Sequence, residues 1–435
     1  MKSLGWLGIV RLGLVQVSLG SIVVLVTSTL NRVMIVELAL PAIIPGALVG
    51  MHYIVQVLRP RLGYGSDLGG RRTPWIVGGM AALALGGTGA AAATALMAAQ
   101  PVLGVLLATV AFLLVGLGVG AAGTSLLTLV AKRVDPKRSA AAAAVLWVMM
   151  IAGIVLTSIV AGKLLDPFSM GRLVAVIGTV SALALVMTAL AVWGVEGPAV
   201  MVKPERQTAF MPALREVWAE PKARRFALFV FVSMLAYSTQ DLVIEPFAGV
   251  VFGMSAGETT RLTGLHHSGM LAGMALVAVC TVLGGGFLHA AMRAWTVGGC
   301  AASAVAILLV AACGLAGPDW SFKVALTALG VANGAFAVAA IGAMMGLASS
   351  GRESREGTRM GLWGAAQALA FGGGGLLGTG LSDIARALIA SPASAYAAVF
   401  VVEGLLFLLA ARLAIAVFEA GRAEAQVPDS LAQAA

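Results

Sequence analysis

The chain has 435 residues, of which 60% are hydrophobic and only 11% charged, with a mean hydropathy of +0.98. Soluble domains carry about 25% charged residues, so this composition excludes a soluble globular protein and indicates one that crosses a membrane many times. The net charge of +9 is not a nucleic-acid footprint, because the basic residues fall between apolar runs, where they set membrane topology.

Lys2 and Arg11 lead into an apolar stretch with no small-residue cleavage pattern, so no cleavable signal peptide is expected. Residues 1–11, with Leu4, Trp6, Leu7 and Ile9, read either as an interfacial lead-in or as an extension of the first helix. A spanning helix needs about 20 mostly apolar residues. Twelve such segments fall at roughly 13–38, 41–58, 74–98, 102–130, 140–162, 172–194, 226–248, 262–284, 295–315, 321–346, 360–380 and 394–415. The 55 glycines suit close helix approach, since packing rather than hydrophobicity drives helix association in lipid.

Six segments (residues 1–195) precede a polar, proline-bearing linker at 196–225. Six follow it (226–415), with a tail at 416–435. Within the linker, Phe210, Leu214, Val217 and Trp218 recur at helical spacing and predict a short amphipathic surface helix. With both termini cytoplasmic, the opposite face keeps only Arg32, Lys163, Arg172, Arg261, Lys323 and Arg386, the bias that the positive-inside rule asks for. The expected fold is therefore all-α and integral to the membrane. It has twelve transmembrane helices in two six-helix halves of the major-facilitator type, related by an axis along the membrane normal.

The loop between the second and third segments carries Gly63, Asp67, Gly70, Arg71 and Arg72. It resembles the signature loop of the major facilitator superfamily, with Leu68 where a basic residue usually follows the aspartate. The resemblance implies a cytoplasmic gate in which Asp67 meets the start of helix 11, near 359–362, where a helix N-terminus favours negative charge. The plainer alternative is a solvated basic loop that serves topology alone. The string from Gly118 through Gly120 to Gly123 matches G-x-G-x-x-G, but it lies inside an apolar segment rather than after a strand, so it reads as helix packing. No phosphate-cradling loop followed by Lys-Ser/Thr exists, which disfavours an ATP-driven pump. Cys280, Cys300 and Cys313 read as small apolar residues.

Ionisable groups inside apolar spans are costly and mark function by default. Helix 1 ends with Asn31, Arg32 and Glu37, and helix 7 with Gln240, Asp241 and Glu245. Helices 1 and 7 are equivalent under the repeat. One expectation is that Arg32 and Asp241 pair, directly or through Asn31 and Gln240, at the seam between the halves; the other is that both simply reach the membrane surface. Glu403 is the most plainly intramembrane carboxylate, open to proton coupling, ligand contact or a structural hydrogen bond, and Gln367 is a milder case. His52 and His266 are candidate ligands for the central metal of a tetrapyrrole, set against the commoner role of a packed, hydrogen-bonded ring. No metal-site spacing and no catalytic constellation can be placed, so no metal site, catalytic residue or tightly required cofactor is expected.

The strings that carry a family resemblance are Gln240-Asp241-Leu242-Val243-Ile244-Glu245-Pro246 with its continuation to 263, residues 29–38, residues 361–368, and Tyr396 with Glu403. They resemble the PucC/LhaA family of light-harvesting complex assembly proteins of phototrophic bacteria, a branch of the major facilitator fold. The likeness is greatest to its shorter members, labelled as a bacteriochlorophyll synthase accessory chain. It implies a non-enzymatic, multi-pass protein of the bacterial inner (photosynthetic intracytoplasmic) membrane. Such a protein would bind bacteriochlorophyll or a precursor and help load light-harvesting antenna polypeptides, with pigment-synthesis enzymes as further partners. A polyprenyl transferase would call for Asp-rich motifs holding magnesium and diphosphate, and the sequence has none. The competing expectation is a proton-coupled secondary transporter of a small solute or pigment precursor, using Asp241, Glu245 or Glu403.

Overall fold

A computed structural model describes residues 4–56, 71–135, 138–196, 215, 218–283, 289–317, 319–349 and 356–425. Among these residues there is no strand, and twelve helices follow one another. They are α1 (Trp6–Glu37), α2 (Ile43–Val55), α3 (Thr73–Met97), α4 (Pro101–Arg133), α5 (Ser139–Leu164) and α6 (Met170–Val192). The second set is α7 (Pro221–Phe252), α8 (Ala256–Leu283), α9 (His289–Ala316), α10 (Asp319–Ser349), α11 (Glu356–Leu388) and α12 (Pro392–Ala425). Ten of them are long and apolar enough to cross a membrane, so the protein is multi-pass. The other two are α2, which is shorter, and α11, where Gln367, the glycines at 372–375 and Ser382-Asp383 dilute the apolar run.

The expected spans recur with shifted ends. From Trp6 onward the opening stretch is continuous with the first helix. α12 runs to Ala425, into the stretch expected as tail. The gate positions Gly63, Asp67 and Gly70 and the anchors Phe210, Leu214 and Val217 of the linker helix lie outside the described residues.

Two local features shape the seam. In α1, π-helical turns at Leu25–Thr29 and Val33–Glu37 bracket Leu30-Asn31-Arg32. Such widened turns occur mostly as single insertions within α-helices, often at functional positions. In α7 the helix passes through Pro246 instead of ending near 248. Proline has no N–H to give to the carbonyl four residues earlier, that of Leu242. Membrane helices tolerate this only where another group satisfies the freed carbonyl. α7 then stops at Gly253, whose φ of +66° closes the helix with an N–H bond to the Ala248 carbonyl.

Within the first six helices, α3 packs on α4 and α6, and α1 on α5 and α6. Within the last six, α7 packs on α11 and α12, α8 on α10, and α9 on α10 and α12. Between the two sets, α5 lies on α8 and α2 on α11, with α1 and α7 meeting in the middle. A repeat that exchanges helix n with helix n+6 turns the α2–α11 contact into the α8–α5 contact, so both crossings follow from one symmetry. Gly118 sits where α3 and α4 touch: a Cβ there would lie 2.5 Å from the Leu83 nitrogen and 2.6 Å from the Gly79 carbonyl. The G-x-G-x-x-G string is thus a packing surface.

Candidate functional site

The seam is built first by Asn31. Its Nδ2 donates to the Leu242 carbonyl at 2.8 Å, the carbonyl that Pro246 leaves without a helical partner. Asn31 itself is buried, so a side chain of α1 completes the backbone of α7.

Arg32, only 2% exposed, does not pair with Asp241. One guanidinium nitrogen bonds Glu37, on the same helix. The other donates to the Met254 carbonyl at 2.8 Å. The head lies beside Gly249, where an added Cβ would come within 3.2 Å of its Nε. Gly249 is two turns past Asp241 on α7, about 12 Å along the axis. The long side chain reaches outward along α7, so matching positions in the repeat do not become a contact. Glu37, half exposed, is the counter-ion at the rim.

Glu245 is buried, accepts from the Thr263 hydroxyl of α8 and lies within electrostatic reach of Arg32. Three further ties join the two sets of helices. Thr29 and Thr260 share a hydrogen bond at 3.1 Å. Asp166, after α5, accepts from Ser255 at 2.7 Å and from Arg261 at 3.0 Å, while Arg261 also donates to the Gly162 carbonyl. Asp383 on α11 accepts the Ala42 and Ile43 N–H groups, each at 2.8 Å, and so caps α2 from across the seam. All of these ties sit on one face, where α1, α5, α7 and α11 end and α2 and α8 begin. That face is opposite the chain termini. Asp166, Arg261 and Asp383 were not foreseen; the available signal was their position as charges at span ends on the face poor in basic residues.

Deeper in, the seam carries an aromatic set. Tyr53 of α2 and Phe371 of α11 stand 5.3 Å apart by ring centroid, and Tyr237 of α7 packs edge-on to Phe371 at 5.9 Å. Tyr53 and Phe371 are only partly covered. Asp241 is half-buried at this level, within electrostatic reach of Tyr237 and Glu403. Gln367, one turn before Phe371, points its amide at the Met234 sulfur at 3.9 Å.

His52 and His266 hydrogen-bond outside this aromatic set. His52 is buried, with Nε2 3.1 Å from the Gln56 amide on its own helix. His266 is buried with Nδ1 at 3.3 Å from the Leu326 carbonyl of α10, its ring edge-on to His267. Both rings are buried in the helix packing.

Gln240 and Glu403 form a second polar locus. Each is 0% exposed, and neither the two amide atoms of Gln240 nor the two oxygens of Glu403 have a hydrogen-bond partner.

At the terminus face, the part of the gate loop that is described shows Arg71 exposed and Arg72 buried. The N–H groups of Arg72 and Thr73 donate to Glu196 at 2.6 and 2.7 Å. Burial pushes the Glu196 carboxyl up, but these backbone bonds and the Arg72 charge outweigh it and hold the group below the usual carboxylate range. Glu196, at the start of the linker, thus caps α3.

A family profile described as "PUCC protein" matches residues 29–421. The chain is 49% identical over 431 residues to the "Bacteriochlorophyll synthase 44.5 kDa chain" of Rhodobacter capsulatus, covering 99% of both chains. It is 33% identical over 429 residues to "Protein PucC" of Cereibacter sphaeroides, covering 92% of this chain and 90% of that one. Among solved structures, an inward-facing bacterial homologue of the lysosomal transporter Spinster aligns with a TM-score of 0.69 at 15% identity, over 95% of this chain and 96% of that one. A D-xylose–proton symporter aligns with a TM-score of 0.70 at 14% identity, over 93% and 96%. At such identities the structural likeness speaks for the fold, which is that of major-facilitator transporters.

Proposed function

The chain belongs to the PucC family, and from that membership we propose that it is a non-enzymatic membrane factor that holds bacteriochlorophyll or a precursor and helps assemble light-harvesting antenna complexes. The observation that carries this reading is the 49% identity, end to end, to a protein named for bacteriochlorophyll synthesis. The relation to proteins named PucC points the same way, and the transporter-type fold supports a carrier rather than a catalyst. The membrane would be the bacterial inner, photosynthetic one, and the partners antenna polypeptides and pigment-synthesis enzymes.

The aromatic set at the seam is where such a cargo would be held. A planar, largely apolar macrocycle suits a concave site lined by aromatic side chains with few polar groups. Tyr53, Tyr237 and Phe371 supply aromatic faces at the seam, and Asp241 and Gln367 supply polar groups beside them. The ties between α1, α7 and α8, and between α2 and α11, close one side of that space. The buried histidines are not needed in this arrangement; stacking and rim contacts do the holding.

Deleting the gene in a phototrophic host tests the reading. A whole-cell absorption spectrum should show reduced antenna bands, restored by the wild-type gene. Unchanged antenna bands and pigment content, in a strain also lacking any PucC relative, would reject it.

A further inference from the structure

The polar pair Gln240 and Glu403 is not used by the pigment reading, and it is built as a site. On α7, Gln240 shares a helical stripe with Ala236, Ile244 and Phe247, at intervals of four, four and seven. Ala236 belongs to the apolar cluster that contains Phe407 of α12. Phe247 packs edge-on against Phe400 of α12 at 5.0 Å. Gln240 therefore faces α12 between Phe400 and Phe407, the turn whose centre is Glu403. α9 and α10 reach the same depth: Gly404 abuts Leu308 and Ala304, and Phe336 packs on Phe407. There Ser303 donates to Asn333 Oδ1 at 2.8 Å, while Asn333 Nδ2 is a further buried atom without a partner.

A carboxyl group on α12 and a carboxamide on the side of α7 turned towards α12 are thus both fully buried, and none of their four polar atoms has a hydrogen-bond partner within the protein. No basic side chain bonds Glu403 among the described residues. Leaving such groups unpaired in the membrane interior is costly, and a bound cation removes the cost. We propose that a monovalent cation, a proton or Na⁺, is held between the Glu403 carboxylate and the Gln240 carboxamide. As a proton, it sits on a Glu403 oxygen, which then donates to Gln240 Oε1. As Na⁺, it takes the Glu403 oxygens and Gln240 Oε1 as ligands, oxygen being the ligand atom that hard cations favour. Of the titratable groups near the site, Asp241 on α7, half-buried at the seam, lies within electrostatic reach of Glu403, Tyr237 stands one turn before Asp241, and Cys300 on α9 shares the buried cluster of Phe407.

Infrared difference spectroscopy of the full-length protein in lipid, titrated with acid and perfused with NaCl against choline chloride, tests this. For a bound proton, a carboxylic-acid carbonyl band is expected in the wild type, lost in Glu403→Gln and kept in Asp241→Asn. For Na⁺, the expected signature is a carboxylate band that shifts with NaCl but not with choline chloride, together with a Na⁺-dependent rise in Tm. Glu403→Gln should abolish both. If neither signal occurs, or if either survives in Glu403→Gln, the proposal is overturned. Should Glu403→Gln fail to fold, Gln240→Leu serves instead: the Glu403 signal must move in frequency on losing its amide partner, and an unmoved signal overturns the proposal.

Discussion

Asn31 donates its carboxamide proton to the carbonyl of Leu242 at 2.8 Å, and Leu242 is the residue four before Pro246. A proline that breaks the hydrogen-bond ladder of α7 is thereby made into a docking point for α1. Replacing Asn31 with Ala leaves a buried carbonyl unsatisfied, which costs about 1–3 kcal/mol. Pro246→Ala restores an N–H for that carbonyl, so Asn31→Ala should cost markedly less in that background. Thermal unfolding in mild detergent measures the four-member cycle, and a coupling of about 1 kcal/mol is expected. Strictly additive losses would mean that the bond does not join the helices as described.

The Arg32 guanidinium takes Glu37 and the Met254 carbonyl, not Asp241. Arg32→Gln should lower stability by about 3–5 kcal/mol or abolish folded expression, since one partner of a partly buried pair is removed. The exchange Arg32→Glu with Glu37→Arg should recover part of the folded yield. Arg32→Asp with Asp241→Arg should recover none. Size-exclusion profiles of the three variants decide between the partners, and rescue by the Asp241 exchange would contradict the geometry.

Glu196 links stability to acidity. Its folded carboxyl is held below the usual range, because the Thr73 and Arg72 N–H bonds outweigh burial. The unfolded chain thus binds the proton more readily. The stabilisation is present above the usual carboxylate range and is lost as pH falls through the folded value. Glu196→Gln should lower Tm at neutral pH and shrink the difference from wild type in acid. A Tm gap that widens on acidification would be the wrong sign.

Two glycines five positions apart on α4 should respond oppositely. Gly118→Ala puts a methyl 2.5 Å from the Leu83 nitrogen, while nothing lies within 4 Å of a Cβ at Gly123. Forcing atoms into a packed contact costs about 1–3 kcal/mol, whereas Gly→Ala at an open helical site gains about 1 kcal/mol. Unfolding of the two single variants checks the contrast.

Hydropathy made the twelve helices legible, because lipid demands long apolar runs and satisfied backbones. The partner of Arg32 was not, since a repeat equates positions along two helices and says nothing of how far a long side chain reaches. The π-helical turns around residues 30–32 alter that reach further, and nothing in the composition of Leu25–Thr29 announces them. The Asn31 contact could have been read: a proline inside an apolar span frees a known carbonyl, and a buried amide on the equivalent helix is the natural donor. Asp166 and Asp383 bind partners distant in sequence, so their place as charges at span ends hints at a role but not at the partner. Gln240 and Glu403 carry no local signal of a shared environment, because the ring contacts of Phe247, Phe400 and Phe407 that bring α7 and α12 together are tertiary.

The most direct measurement of the central claim is the absorption spectrum of the protein purified in mild detergent from a pigment-producing phototroph. A bacteriochlorin band co-eluting with the folded wild-type protein is expected, and it should fall several-fold in a folded variant carrying Tyr53→Ala and Phe371→Ala. A wild-type protein that elutes folded and free of bacteriochlorin absorbance would contradict the account.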